Sequence, residues 1–416
     1  MEEMTSRERV YTAANFKEPD RIPINFGGSE GTGILECPPN GCICSELYSY
    51  LNLDDPKPIR IGAWANEVWN IDERVKQRFR SDTLPIFPKL PAPVLQPDGS
   101  KTWSFFCGMR IKKVGYYDDA FDFPMAHMTT KKDIDDYPWP DPNTDIMEGG
   151  VEKYAKTLHE KTDKFIVGIN FFDMFPFNGY AYLSGMSKWL TDLKIRPQFY
   201  HQLAEKFMEL TLALDRQFYK GVGQYVDGAQ IFDDLGTQQG PLMSHADFEE
   251  FYKPYTAEII KNIRKYIRPE AKIILHSCGS VYDFIPDLID IGVDILHGVQ
   301  PLARNMEPER LKKEFGGDIT FMGGLDIQKL LPLCNEDEIK EGVKKLIATY
   351  GPGGGYIFAT AHNIEPDSPP RNIVAAFEAA CEYGKYPLPQ LNGESYIDFI
   401  NGLSLEEREL DFGLAT

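Results

Sequence analysis

The sequence predicts an α/β protein: a (β/α)8 TIM barrel with an N-terminal extension and a hairpin excursion over its mouth. Three observations predict it. From residue 160 onward, six short apolar runs are followed by amphipathic stretches, the alternation that builds a parallel sheet with helices on its faces. Two earlier runs bring the count to eight, the number such a barrel requires. The residues best suited to chemistry fall at the C-terminal ends of these runs, where barrel enzymes carry their active face.

The first two runs are RIPINFGG (21–28) and DTLPIFP (82–88), whose prolines weaken the strand pattern. A long excursion follows, and within it TWSFFCGMRIKKVGYYDD reads as a hairpin capping the mouth. KFIVGINFF (164–172) then precedes a helical region reaching about residue 220, DGAQIFDD (227–234) precedes ADFEEFYKPYTAEIIKNIRKYI, and AKIILHS precedes VYDFIPDLIDIG. VDILHGV (293–299), DITFMGG (318–324) and GYIFATAH (355–362) complete the set. No linker or low-complexity segment interrupts the pattern, so residues 1–416 read as a single domain.

Composition narrows the function. With 42% hydrophobic and 12% aromatic residues the chain can fill a large core. Its net charge of −19, from 63 acidic against 44 basic residues, repels nucleic-acid phosphates and anionic lipid, so neither nucleic acid nor membrane is expected as a partner. The start MEEMTSRERVYTAANF has no basic segment leading into an apolar core, and no run of about 18 apolar residues occurs, which predicts a cytoplasmic protein. The seven cysteines are odd in number and scattered, as reduced thiols are. The cluster ECPPNGCICSEL lacks CxxC and reads as loop with unligated thiols. PGGGY and GVGQ lack the lysine and the spacing of phosphate loops.

The run KIILHSCGSV (272–281) carries the sharpest signal. Side chains alternate faces along a strand, so His276 and Cys278 point the same way, two soft ligands at one mouth. Asp233 and Asp234 end another run, where a carboxylate serves as general acid or orients a ligating histidine; alternation predicts that one of the two faces the mouth. Glu30, in the loop GGSEGTG, is a further catalytic candidate. Phe172, Phe175, Phe177 and Tyr182 follow the third run and would line a pocket for a flat apolar substrate. His297 ends its own run, either beside the substrate or behind a metal ligand, and Cys334 reads as a helix-buried thiol.

The segments KEPDRIPI, FDDLGTQQGPLMSHADFEEFYKPY, HSCGSVYDFIPDLIDIGVDILHGVQP, ITFMGGLDIQKLLP and PGGGYIFATAHNIEPDSPPRNI resemble the uroporphyrinogen decarboxylase superfamily, and within it the corrinoid-dependent methyltransferase branch. The resemblance implies a (β/α)8 barrel and a zinc site of the form His-x-Cys with a third ligand near the last strand. His276 and Cys278 match the first two positions. The third falls on His362 in TAHNIEP, where methyltransferases acting on coenzyme M carry Cys-Gly; it is either a zinc ligand or a substrate contact, as the decarboxylases place a histidine there. The arginine-rich N-terminal motif of the decarboxylases is missing, since INFGGSEGTGI has no arginine after Arg21.

The resemblance thus implies transfer of a methyl group from a methyl ether, such as a methoxylated aromatic, to the cobalt(I) of a separate corrinoid protein, with zinc or acid assistance. The cofactors expected are zinc and a corrinoid supplied by that partner, and a homodimer stays open. The alternatives are a methylcobamide-to-thiol methyltransferase of the coenzyme M type, uroporphyrinogen decarboxylase, and a non-catalytic corrinoid-protein partner.

Overall fold

The computed structural model describes residues 3–35, 43–54, 67–68, 71–115, 117–170, 177–391 and 393–403. Seven parallel strands form one curled sheet: β1 (Thr83–Ile86), β2 (Phe165–Ile169), β3 (Gly228–Phe232), β4 (Lys272–His276), β5 (Ile295–Gly298), β6 (Thr320–Leu325) and β7 (Tyr356–Thr360). They neighbour one another in sequence order. Each coincides with an expected apolar run, β6 passing the end of its run by one residue, Leu325. β2, β6 and β7 are buried at every position, which is why they read as continuous apolar runs rather than alternating ones.

The expected first strand, 21–28, makes isolated bridges at Arg21 and Ile24 rather than a ladder, and it bends from Phe26 on. It lies between the two edges of the sheet. Asn25 N–H donates to the Phe358 carbonyl at 2.8 Å, Phe358 N–H to that of Pro23 at 2.8 Å, and Asp82 N–H to that of Ile24 at 2.7 Å. Pro23 has no N–H to give, and the amides of Ile24 and Phe26 are taken by the side chains of Asp82 and Ser81. A regular ladder with β1 therefore cannot form.

Helices follow the strands. The 26-residue helix Pro197–Val222 opens on a proline at its first turn and buries Leu203, Phe207, Leu210, Leu214 and Phe218, the i, i+3, i+4 stripe of a helix laid on a sheet. Between β1 and β2, the strands Val94–Leu95, Lys101–Trp103, Met109–Val114 and Tyr117–Asp122 form a four-stranded antiparallel sheet. It buries Trp103, Phe106, Met109 and Ile111 beneath it. Among the described residues no helix is long and apolar enough to cross a membrane.

Two buried carboxylates fasten the end of the sheet where strands begin. Asp82, just before β1, receives Arg9 Nη1 at 2.7 Å and Arg21 Nη1 and Nη2 at 2.8 and 2.9 Å. Asp227, just before β3, receives Arg7 Nε at 3.1 Å and Arg268. Arg21 is thus spent on holding the N-terminal segment to the sheet, at the face associated with stability.

Candidate active site

β4 ends at His276, and the chain then turns through Ser277, Cys278 and Gly279. The same-face relation expected of a strand survives the turn: His276 Nε2 and Cys278 Sγ are 3.5 Å apart. His362, two residues beyond β7, joins them, and one ligand atom from each of His276, Cys278 and His362 lies within 4.8 Å of the others. Tetrahedral zinc, with sulfur at about 2.3 Å and nitrogen at about 2.0 Å, separates such ligands by roughly 3.5 Å. The donor set fits zinc, and three protein donors leave a position open, as at catalytic sites.

His276 is fixed from behind. It is in register with His297 on the adjacent strand, and the two rings meet Nδ1 to Nδ1 at 2.7 Å. One nitrogen must donate and the other accept, so the two tautomers are coupled; with His276 Nδ1 donating, its Nε2 keeps a lone pair on the Cys278 side. His297 is fully buried and does not line the cavity, so its assignment as a substrate contact is corrected: the register of β5 puts it behind the ligand. The loop after Phe26 covers both rings. A Cβ on Gly31, whose φ is +78°, would come within 2.8 Å of His297 and 2.9 Å of His276, so glycine alone fits there.

Burial sets the electrostatics. It lowers the pKa of His276, lowers that of His297 further with the help of His276 and His362, and with His276 brings His362 down to about 4. Neutral imidazole, the ligating form, is thereby favoured. Burial and the charge of Asp234 push the Cys278 thiol up; a bound cation reverses that by stabilising the thiolate.

Carboxylates surround the cluster. Cys278 N–H donates to Asp234 Oδ1 at 2.9 Å, and the same oxygen is 4.0 Å from His276 Nε2. Asp233 accepts the Asn178 N–H at 2.9 Å and is pushed up by burial. The expectation that one of this pair faces the mouth is corrected: both line the cavity, because β3 ends at Phe232 and strand alternation ends with it. Glu30 is held rather than solvated. Its N–H donates to Gln230 Oε1 at 2.8 Å and its carbonyl accepts Gln230 Nε2 at 3.1 Å. Its Oε2 is buried without a hydrogen-bond partner, 3.9 Å from His276 Nδ1, and burial and Asp234 push its carboxyl up to about 8.

The cavity, of about 630 Å³, also takes Tyr182 into its wall. Phe177 does not line it and is corrected to a core residue, packed edge-on against Trp189 and Tyr252 at 4.3 and 5.3 Å between ring centres. Phe172 and Phe175 lie outside the described residues. Phe232 and Tyr117 supply aromatic surface instead. Sequence reasoning missed Tyr117, which comes from the antiparallel sheet; its hydroxyl donates to Glu365 Oε1 at 2.8 Å and is 3.4 Å from His362 Nδ1. It also missed Gln230 and Glu365. Nothing local marks them, since their partners are distant in the chain. Cys334 is buried, as expected.

A family model described as Uroporphyrinogen decarboxylase (URO-D) matches residues 115–383. The chain belongs to that family. The uroporphyrinogen decarboxylase of a Pseudomonas fluorescens strain is 27% identical over 263 residues, covering 61% of this chain and 69% of its own. That of Pseudomonas savastanoi pv. phaseolicola is 26% identical over 279 residues, covering 65% and 74%. Among solved structures, a methyltransferase from Methanosarcina mazei matches with a TM-score of 0.62 at 18% identity, over 92% of this chain and 99% of that one, a likeness of fold. The URO-D match contains His276, Cys278, His362 and both aspartates; Glu30 lies before it.

Proposed function

We propose that this URO-D family member is a methyltransferase that takes the methyl group of a small methyl ether, a methoxylated aromatic, and passes it to the cobalt(I) of a separate corrinoid protein in the cytoplasm. The observation that carries the reading is the convergence of His276, Cys278 and His362 at one cavity. A decarboxylation of uroporphyrinogen needs no such ligand set and would call for cations to hold a polycarboxylate. No arginine or lysine lines the cavity among the described residues, and Arg21 is bound to Asp82. The decarboxylase names of the sequence relatives keep that activity as the alternative to be assayed.

In the proposed reaction the methyl carbon leaves its ether oxygen for cobalt(I). The bonding pair of the C–O bond stays with oxygen, the cobalt pair forms the new bond, and a proton completes the phenol. Zinc held by His276, Cys278 and His362 would supply a Lewis acid that stabilises the charge growing on the leaving oxygen. With His297 Nδ1 accepting from His276 Nδ1, His276 would hold its Nε2 lone pair for the metal. We assign delivery of that proton to Asp234 at the cavity wall, whose carboxylate the Cys278 N–H orients. Tyr182, Phe232 and Tyr117 offer faces for an aromatic ring.

The test supplies a reduced corrinoid protein, offers guaiacol-like ethers and methylated thiols in parallel, and follows the conversion of cobalt(I) to methyl-cobalt(III) by absorbance. Methylation from the aryl ether is the expected result. Methylation from a thioether alone, or decarboxylation of uroporphyrinogen, would overturn the reading.

A further inference from the structure

Gln230 lies in the middle of β3 and is fully buried, although a carboxamide is costly to bury unless its donor and acceptor are met. Strand alternation puts it on the same face as Phe232, which lines the cavity. Both of its polar groups go to one residue of a distant segment. Oε1 accepts the Glu30 N–H at 2.8 Å, and Nε2 donates to the Glu30 carbonyl at 3.1 Å. The backbone N–H fixes which end of the amide is oxygen. Because these bonds are to the main chain, they hold residue 30 in place whatever its side chain does.

Gly31 follows, at the apex of the loop after Phe26, and its backbone lies against the two imidazoles of the site. A Cβ there would come within 2.8 Å of His297 Cε1 and 2.9 Å of His276 Cε1. The flanks of the loop are tied elsewhere. Asn25 Nδ2 donates to Ser29 Oγ at 2.7 Å, and Gly28 N–H donates to Asn25 Oδ1 at 3.1 Å. On the other flank, Gly33 N–H donates at 3.0 Å to Oδ1 of Asn363, the residue after His362. The apex is held by Gln230. While it stays in place, His276 cannot swing out of its Nδ1 contact with His297 without displacing Gly31, and water is kept from that contact.

We propose that Gln230 is a positioning residue of the metal site: by holding residue 30 it keeps the Gly31 backbone against His276 and His297, and the affinity for zinc depends on that hold. Its two hydrogen bonds go to a loop and not to a ligand. The inference rests on the zinc reading of His276, Cys278 and His362 and extends it to a residue outside the ligand set. The physical link is orientation, since a ring free to turn gives up that freedom on binding a metal, and binding is weaker for it.

The test measures zinc affinity of the full-length protein by competition against a chromophoric chelator, together with the visible absorption bands of the cobalt(II)-loaded form, which report ligand geometry. Gln230→Met keeps the length of the side chain and removes both bonds to residue 30. Its zinc affinity should fall by about tenfold or more. Its cobalt(II) bands should shift, and the zinc-free variant should keep the far-UV circular dichroism of the parent. Gly31→Ala disturbs the same apex from the other side by crowding both rings, and should lower the affinity by about tenfold or more as well; it decides the matter if Gln230→Met does not fold. A role in stability alone would lower the unfolding temperature of the zinc-free protein and leave the affinity and the bands unchanged. A zinc-binding parent with either variant holding zinc as tightly, and with the same cobalt(II) bands, overturns the positioning role and leaves the zinc reading standing. A parent that binds no zinc overturns both.

Discussion

His276 and His297 meet Nδ1 to Nδ1 at 2.7 Å because β4 and β5 pair in a register that sets the two residues side by side. The bond orients the ring whose other nitrogen faces Cys278. Removing the partner frees His276 to rotate and to change tautomer. His297→Gln should therefore weaken zinc binding by about 10- to 100-fold while the fold persists. Competition against a chromophoric chelator measures it, and an unchanged affinity would remove His297 from the support of the site.

Protein purified without chelators should contain about one zinc per chain by elemental analysis. Cys278→Ala should lose the metal and stay folded, since the thiol contributes to a cavity wall and not to the core. His362→Ala separates two roles. Loss of zinc makes His362 a ligand, whereas retained zinc with abolished turnover makes it a substrate contact. Zinc retained in the Cys278 variant would sink the site assignment.

Asp234→Asn keeps the shape of the side chain and removes its proton chemistry. Turnover should fall by about a hundredfold or more with little change in unfolding temperature. Asp233 is the deeper of the two, accepting an amide N–H from Asn178. If Asp233→Asn alone abolished turnover, the acid would be assigned to the wrong neighbour.

Asp82 is the buried anion shared by Arg9 and Arg21. Asp82→Ala leaves two guanidinium groups without it, a change that costs about 3–5 kcal/mol when a buried pair is broken. The unfolding temperature should drop by several degrees. A variant as stable as the parent would show that the N-terminal segment is held by apolar packing alone.

Lys312 donates from Nζ to the Gly354 carbonyl at 2.6 Å, and burial brings its pKa down to about 8. That value lies below the unfolded one of about 10.4, so the unfolded chain binds the proton more tightly. The stability owed to this group therefore grows as pH rises from about 8 to about 10.4. Measured by urea unfolding near neutrality and at about pH 9.5, the stability of the parent relative to Lys312→Met should rise by about 1 kcal/mol, a modest figure because the side chain is only partly buried. A flat or falling difference would count against the assignment.

The sequence by itself determined the seven strands and the His276–Cys278 pair, because both follow from local rules. Strands buried on two faces must be apolar throughout, and the two-residue spacing kept His276 and Cys278 on one side although Cys278 lies just past the end of β4. It also marked Asp233, Asp234 and His362 by their positions just past strand ends. Only the tertiary structure decided the rest. Pro23 and the side chains of Ser81 and Asp82 turned the expected first strand into a segment with isolated bridges and no ladder. Packing against Trp189 and Tyr252 took Phe177 into the core, and Tyr117 reached the cavity from a separate sheet. His297 became a support because strand register, which no local pattern encodes, placed it beside His276. The hold of Gln230 on the Glu30 backbone is likewise invisible in the chain order: the two lie 200 positions apart, and the curl of the sheet brings β3 to the Gly31 loop.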